Sequence, residues 1–185
     1  MADLPAIARV VAIALACGAA LVATNWLTED PIRFNEASAL RAAIAELLPA
    51  GTAAPDYPPE LDRVPGAWQL CSGHLLGRSN TPGYGGDIEL LYTLLVRTAE
   101  PGQPAARQLE RLTVLRHYET PGIADFLGNP DWLGTFTGAD AEGIETLSAV
   151  TGATITSVAV RDHLRAVLRD PEAELGQATL LDCDS

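Results

Sequence analysis

The stretch SAVTGATITSVAVRDHLRAVLR (148–169) decides how the second half of this chain folds. From Ser157 to Arg169, Val160, Leu164, Val167 and Leu168 recur at helical spacing, while Arg161, Asp162, Arg165 and Arg169 fall on the other side. Such a pattern is an amphipathic helix with one buried face. Arg165 and Arg169 complement the negative end of its dipole. Immediately before it, Ser148, Thr151, Thr154, Thr156 and Ser157 crowd around the pair Gly152–Ala153. Thr156 or Ser157 is the predicted helix cap, and Gly152 makes the turn. Capping uses one hydroxyl. Thr154 follows two of the smallest residues and is left exposed beside the unpaired N–H groups of a helix start, where a phosphate is favoured.

The segments upstream supply a sheet for that helix to cover. AWQLC (67–71) reads as a strand. In GRSNTPGYGGDIELLYTLLVR (77–97) the first half is turn chemistry, with Pro82, Gly83, Gly85 and Gly86, and Ile88–Arg97 is a strongly apolar strand. A polar Pro/Gly loop (98–108) then leads into LERLTVLRHY (109–118), which predicts an antiparallel pair. ETPGIADFLGNPDWLGTF (119–136) breaks into turn, short helix and turn, and EGIETLSAV (142–150) reads as a further strand. The predicted class is α+β, an antiparallel sheet with flanking helices.

Ahead of this domain, AIARVVAIALACGAALVATNWL (6–27) carries a single charge, Arg9. About 20 apolar residues span a bilayer as a helix, so Ala6–Leu27 is predicted as an uncleaved signal anchor. Arg9 on the near side and an interfacial Trp26 on the far side place the N-terminus in the cytoplasm and the rest outside it. A separate helix is predicted from Thr28, as cap, to Leu48, with Pro31 in its first turn and Ala37, Leu40, Ile44, Leu47 and Leu48 as its apolar positions. The Pro-rich run 49–66 follows as a connector. The predicted organisation is thus 1–27 stub and anchor, 28–66 juxtamembrane helix and connector, and 67–185 extracytoplasmic domain.

Charge and residue inventory exclude several functions. With 12 Lys+Arg against 24 Asp+Glu, the net charge of −12 repels phosphate backbones, so no nucleic-acid partner is expected. His74, His117 and His163 are scattered, without metal-ligand spacing, and no nucleophile elbow or phosphate-binding glycine loop is present. Neither a metal nor a catalytic residue is predicted. An exported domain favours a Cys71–Cys183 disulfide over two separate buried thiols.

The Thr-Gly-Ala-Thr-Ile-Thr run (151–156) before a helix resembles the flavinylation motif of FMN-binding domains. One such domain forms a membrane-anchored subunit of the Rnf ion-translocating oxidoreductase, and another a subunit of the sodium-translocating NADH:quinone reductase. The segments NWLTEDPI (25–32), GYGGDIELL (83–91) and RHYETPGIADF (116–126), the pair Asp131–Trp132, and a cysteine near each end of the soluble domain also resemble the Rnf member. The chain departs from the family at Ser148, where an acidic residue is usual; Glu142 and Glu145 are the nearest acids in sequence. The quinone-reductase member is usually longer, which favours the Rnf one.

The resemblance implies an FMN joined through its phosphate to Thr154 by a flavin transferase. Thr151, Gly152, Ala153, Thr156 and Ser157 would surround the phosphate. Gly83, Gly85 and Gly86 would let backbone approach the flavin, with Tyr84 along its edge. Glu119, Thr120, Pro121 and Gly122 would line the other side. The implied role is a redox subunit of an Rnf-type ferredoxin:NAD oxidoreductase in a bacterial inner membrane, with a periplasmic soluble domain, other membrane subunits as partners and no turnover of its own. Small residues Ala16, Gly18, Ala19 and Ala20 would let neighbouring helices approach. The alternatives are the FMN-domain member of the quinone reductase, another anchored FMN carrier, or an unflavinylated scaffold.

Overall fold

The computed structural model describes residues 4–48, 64–70, 72–97 and 106–180. Cys71 and Cys183 lie outside the described residues, as does most of the 49–66 connector. The chain divides into two units, Met1–Leu40 and Arg41–Ser185.

The first unit is helical. Helix α1 covers Leu4–Leu47, and its apolar part is long enough to cross a membrane, with a mean hydropathy of 2.2 over its best window and none of that window buried. Val10, Leu21 and Trp26 are exposed, as lipid-facing residues would be. The predicted break at Thr28 is absent: α1 runs through Thr28 and Pro31 without interruption. Thr28 does not cap. Its hydroxyl donates backwards to the Thr24 carbonyl at 2.9 Å, as Thr24 does to Ala20. Pro31 removes one helical N–H, and an ion pair of 2.6 Å from Arg33 to Glu29 spans that point.

The second unit is built on a sheet of order β4-β3-β2-β1-β5. Strands β1 (Gly66–Gln69), β2 (His74–Pro82), β3 (Asp87–Arg97) and β4 (Ala106–His117) form an antiparallel meander, and β5 (Thr179–Leu180) pairs parallel with β1. Short helices α2 (Pro130–Gly134), α3 (Ala141–Glu145) and α5 (Pro171–Leu175) accompany α4 (Thr154–Arg169). The α+β expectation and the strands at 67–71, 88–97 and 109–118 agree with this arrangement.

Two segments differ from the sequence reading. Residues 77–82, read as turn, complete strand β2, and the turn proper begins at Gly83. The polar residues of β2 are used inside the fold. Arg78 Nε donates to Glu89 at 2.7 Å, Ser79 Oγ lies 3.0 Å from Tyr92 Oη, and Thr81 Oγ1 donates to the Ala159 carbonyl at 3.4 Å. Gly77 admits the Tyr92 ring, since a Cβ there would stand 2.3 Å from Cε2. The segment 142–150 forms no strand. Asp140 Oδ1 accepts from Gly143 N at 2.8 Å and starts α3 instead, a helix cap that alternation of side chains could not reveal.

Helix α4 covers one face of the sheet. Val160, Leu164, Val167 and Leu168 are buried against Ile88, Leu90, Tyr92 and Leu94 of β3 and Leu109 and Leu112 of β4, with Leu127, Phe136 and Ile144 completing the core. Trp68, Leu76, Leu91 and Thr93 are also buried, on the opposite face, which is why β3 reads as an unbroken apolar run. Arg111 on β4 donates to the Glu46 carbonyl at 2.8 Å, satisfying an end of α1. His163 on α4 places Nε2 2.7 Å from Ser79 Oγ, and its Nδ1 is 4.0 Å from Glu174 on α5. Burial holds the His163 imidazole below its ordinary pKa, partly offset by Glu174.

Leu164→Ala is expected to cost about 2–5 kcal/mol, read as a lower urea midpoint, because it opens a cavity in a closed core. His163 gives the domain a pH dependence. Its folded pKa lies below the unfolded value of 6.5, so the unfolded chain binds more protons between the two. The stability is therefore present above 6.5 and lost as pH falls below it, with a slope of at most about 1.4 kcal/mol per pH unit. Urea midpoints between neutral and mildly acidic pH should fall for the wild type, and less for His163→Gln.

Candidate functional site

Three loops meet at one end of the sheet. Pro82, the last residue of β2, pairs with Asp87, the first of β3, so residues 83–86 cap that end. Ile88 pairs with His117 at the close of β4, which delivers Tyr118–Gly122 to the same end. Ala159 and His163 lie opposite Thr81 and Ser79, so α4 runs antiparallel to β2 and its first residue points the same way. The topology brings together the stretches 83–86, 118–122 and 150–154, which are far apart in sequence.

The 150–157 segment is a tight turn fused to a helix. Ala153 N donates to the Val150 carbonyl at 3.1 Å, and Gly152 takes φ +85°, a conformation open to glycine at little steric cost. Helix α4 begins at Thr154, three residues earlier than predicted, and neither Thr156 nor Ser157 caps it. Ser157 is buried inside the first turn. Its Oγ accepts from Val150 N at 3.0 Å and donates to the Ala153 carbonyl at 2.9 Å, tying the turn to the helix. Thr156 is buried as well, whereas Thr151, Gly152, Thr154 and Ile155 are exposed. The N-cap position is Ala153, and no side chain caps the first-turn N–H groups.

The other two loops lock into each other. Gly83 N donates to the Gly86 carbonyl at 2.8 Å, closing the turn that carries the exposed Tyr84. Glu119 is buried, and its Oε1 accepts from Gly85 N at 3.1 Å. A Cβ on Gly83 would meet Glu119 Oε1 at 2.0 Å, one on Gly85 would meet the Tyr118 carbonyl at 2.7 Å, and one on Gly86 would meet Tyr118 Cβ at 2.9 Å. The glycines therefore make room for Tyr118 and for the Glu119 carboxylate, a role that sequence reasoning had given to a ligand. Beyond Glu119, the Thr120 carbonyl accepts from Ile123 N and Ala124 N, and Asp125 Oδ1 accepts from Gly122 N at 2.8 Å. Thr120, Pro121 and Gly122 are exposed.

On the far face of the sheet beside this end, buried Glu89 accepts from Arg78 and, at 3.2 Å, from Arg116. A cavity of about 170 Å³ lies next to the helix start, lined by Trp132, Phe136, Leu147, Ser148, Ser157 and Arg161. Phe126, Trp132 and Phe136 stack edge-on at 4.6 and 5.1 Å behind it. Sequence reasoning singled out Ser148 and Trp132 but not Phe136 or Arg161, which only the fold brings to them. A larger cavity of about 490 Å³, lined in part by Glu46, Leu47, Arg111 and Leu133, contains none of the motif residues. Among the described residues no cluster of His, Cys, Asp or Glu could hold a metal ion.

An exposed hydroxyl on an uncapped helix turn fits a phosphate monoester or diester well: it offers an oxygen for bonding and N–H dipoles for the charge. Residues 83–169, which span all three loops, match the family model of the FMN-binding domain. The chain thus carries an FMN-binding domain over this stretch, and such a domain points to a flavin-carrying, redox-related role. No curated protein matches the chain.

Gly85→Ala should cost about 1–3 kcal/mol in urea unfolding, because its Cβ has no room against the Tyr118 carbonyl. Gly134→Ala, with open space at the Cβ position, is the control and should leave the urea midpoint close to that of the wild type.

Proposed function

We propose that this chain is the electron-carrying subunit of an Rnf-type ion-translocating ferredoxin:NAD oxidoreductase, with FMN held by a phosphoester to Thr154. The observation that carries the reading is the exposed Thr154 hydroxyl at the uncapped start of α4, inside the matched domain. FMN would supply the electron transfer, and the protein's residues would bind and orient it. Thr154 Oγ1 forms the new O–P bond as its proton leaves. A flavin transferase would provide the activated flavin phosphate, for example from a flavin dinucleotide, with a nucleoside monophosphate as leaving group. The first-turn N–H groups of α4 would face the diester's negative charge. Tyr84 and the exposed Thr120–Gly122 turn flank the same end and are assigned to the flavin's surroundings.

The wider setting follows the same reading. The Ala6–Leu27 part of α1 anchors the chain in a bacterial inner membrane, Arg9 keeps its N-terminus cytoplasmic, and the domain lies in the periplasm beside other membrane subunits. Cys71 and Cys183 form a disulfide in that oxidising compartment. The FMN-domain member of the sodium-translocating quinone reductase is the alternative within the class, and the proteins that co-purify separate the two.

Intact mass decides between a relay and an unflavinylated scaffold. Wild type co-expressed with a flavin transferase should carry one flavin-sized increment, and Thr154→Ala should lack it. Wild type without the increment would rule out the covalent carrier.

A further inference from the structure

The cavity at the start of α4 shares a face of that helix with Thr154. Ser157 and Arg161 follow Thr154 at helical spacing, so all three lie on one side of α4. Alongside that side runs the 147–150 segment. Ser157 Oγ accepts from Val150 N at 3.0 Å, and Arg161 Nη1 donates to the Leu147 carbonyl at 3.2 Å. Between this segment, α4 and the end of α2 lies the space of about 170 Å³. Phe136 and Ser157 are its buried floor, Trp132 and Arg161 its half-buried walls, and Ser148 and Thr135 its exposed rim.

Arg161 is the one charged side chain lining this space. Its pattern position put it on the solvated face of α4, yet its side chain is only 24% exposed. Asp162 accepts from its Nε and Nη2, both at 3.1 Å. We propose that the cavity receives the pyrimidine edge of a flavin carried on Thr154, and that Arg161 holds that edge and raises the flavin's potential. This rests on the flavin reading above. A pocket for a whole drug-sized ligand takes about 300 Å³ or more, so this one admits an edge of the three-ring system and not all of it. At about 1.5 Å of rise per residue, Ser157 and Arg161 stand about 4.5 and about 10.5 Å along the axis from Thr154. A five-carbon ribityl chain with its phosphate has a reach of that order. Because attachment point and cavity share one helix face, no distance across the sheet has to be bridged. On taking up two electrons and one proton the isoalloxazine becomes an anion, with the charge on its pyrimidine edge. A half-buried guanidinium beside that edge favours the reduced form. The benzenoid edge carries only methyl groups, and would desolvate the guanidinium and the Ser148 hydroxyl with no hydrogen bond in return.

The test uses the full chain co-expressed with a flavin transferase, as wild type, Arg161→Gln, Arg161→Lys, Ser148→Glu and Arg165→Gln. Intact mass reports flavin loading, and spectroelectrochemical titration reads the midpoint potential. Loss of one charge-assisted hydrogen bond should lower the reduced-to-oxidised ratio at a fixed potential about tenfold, a shift of about 30 mV for a two-electron couple. Arg161→Gln should show that fall, and Arg161→Lys should recover most of it. Ser148→Glu changes an exposed rim position and sets a carboxylate at the cavity's edge, so its potential should fall too. That variant decides the matter where Arg161→Gln weakens the fold. Arg165 pairs with Glu145 at 3.2 Å outside the cavity, and Arg165→Gln should keep the wild-type potential. A fall there as large as in Arg161→Gln would overturn the assignment. Unchanged potentials in loaded Arg161→Gln and Ser148→Glu would also overturn it and leave the attachment standing. Absence of the increment from wild type would overturn both.

Discussion

Helix α4 keeps its place on β2, and the rest of the site depends on it. The stripe Val160, Leu164, Val167 and Leu168 supplies the attraction, but hydrophobic burial is non-directional and tolerates sliding. The part-buried contacts Ser79–His163 and Thr81–Ala159 remove that freedom. A one-residue slip would leave these polar groups unpaired in the core, at about 1–3 kcal/mol for each. Since Thr154 is the first residue of α4, the same contacts fix where its hydroxyl stands relative to the ends of β2, β3 and β4.

The loop end combines two kinds of rigidity. Residues 83–86 and 118–119 interlock because the glycines leave room for Tyr118 and Glu119, and a buried carboxylate bonds the two loops together. The 150–157 turn is closed by Ser157, which reaches both sides of it. Neither device uses the exposed groups. Tyr84, Thr154 and Ile155 stay exposed while the chain beneath them is held.

Much of this was legible in the residues. The apolar run of β3, the period of α4 and the anchor-length segment of α1 each depend on local pattern, and each was found where the pattern lay. Errors came where a local signal had a tertiary competitor. Pro82 and the polar Arg78–Thr81 run looked like a turn, yet partners on β3 and α4 make them strand. Thr28 and Pro31 looked like a helix start, yet backward hydroxyl bonding carries α1 through them. At the site, the motif threonine was visible, but the work of its neighbours was not. Ser157 ties a turn rather than capping a helix, and Glu119 serves Gly85.

Sequence by itself determined the type of the long periodic elements, the membrane-length helix, the acidic charge and the match of residues 83–169 to the FMN-binding domain. These are carried by periodicity, composition and residues close together in the chain. Tertiary structure alone decided that the glycine turn, the Tyr118–Gly122 turn and the start of α4 share one end of the sheet. Strand register and the antiparallel run of α4 over β2 set that meeting. Both depend on contacts between residues up to 84 positions apart, which no local pattern records.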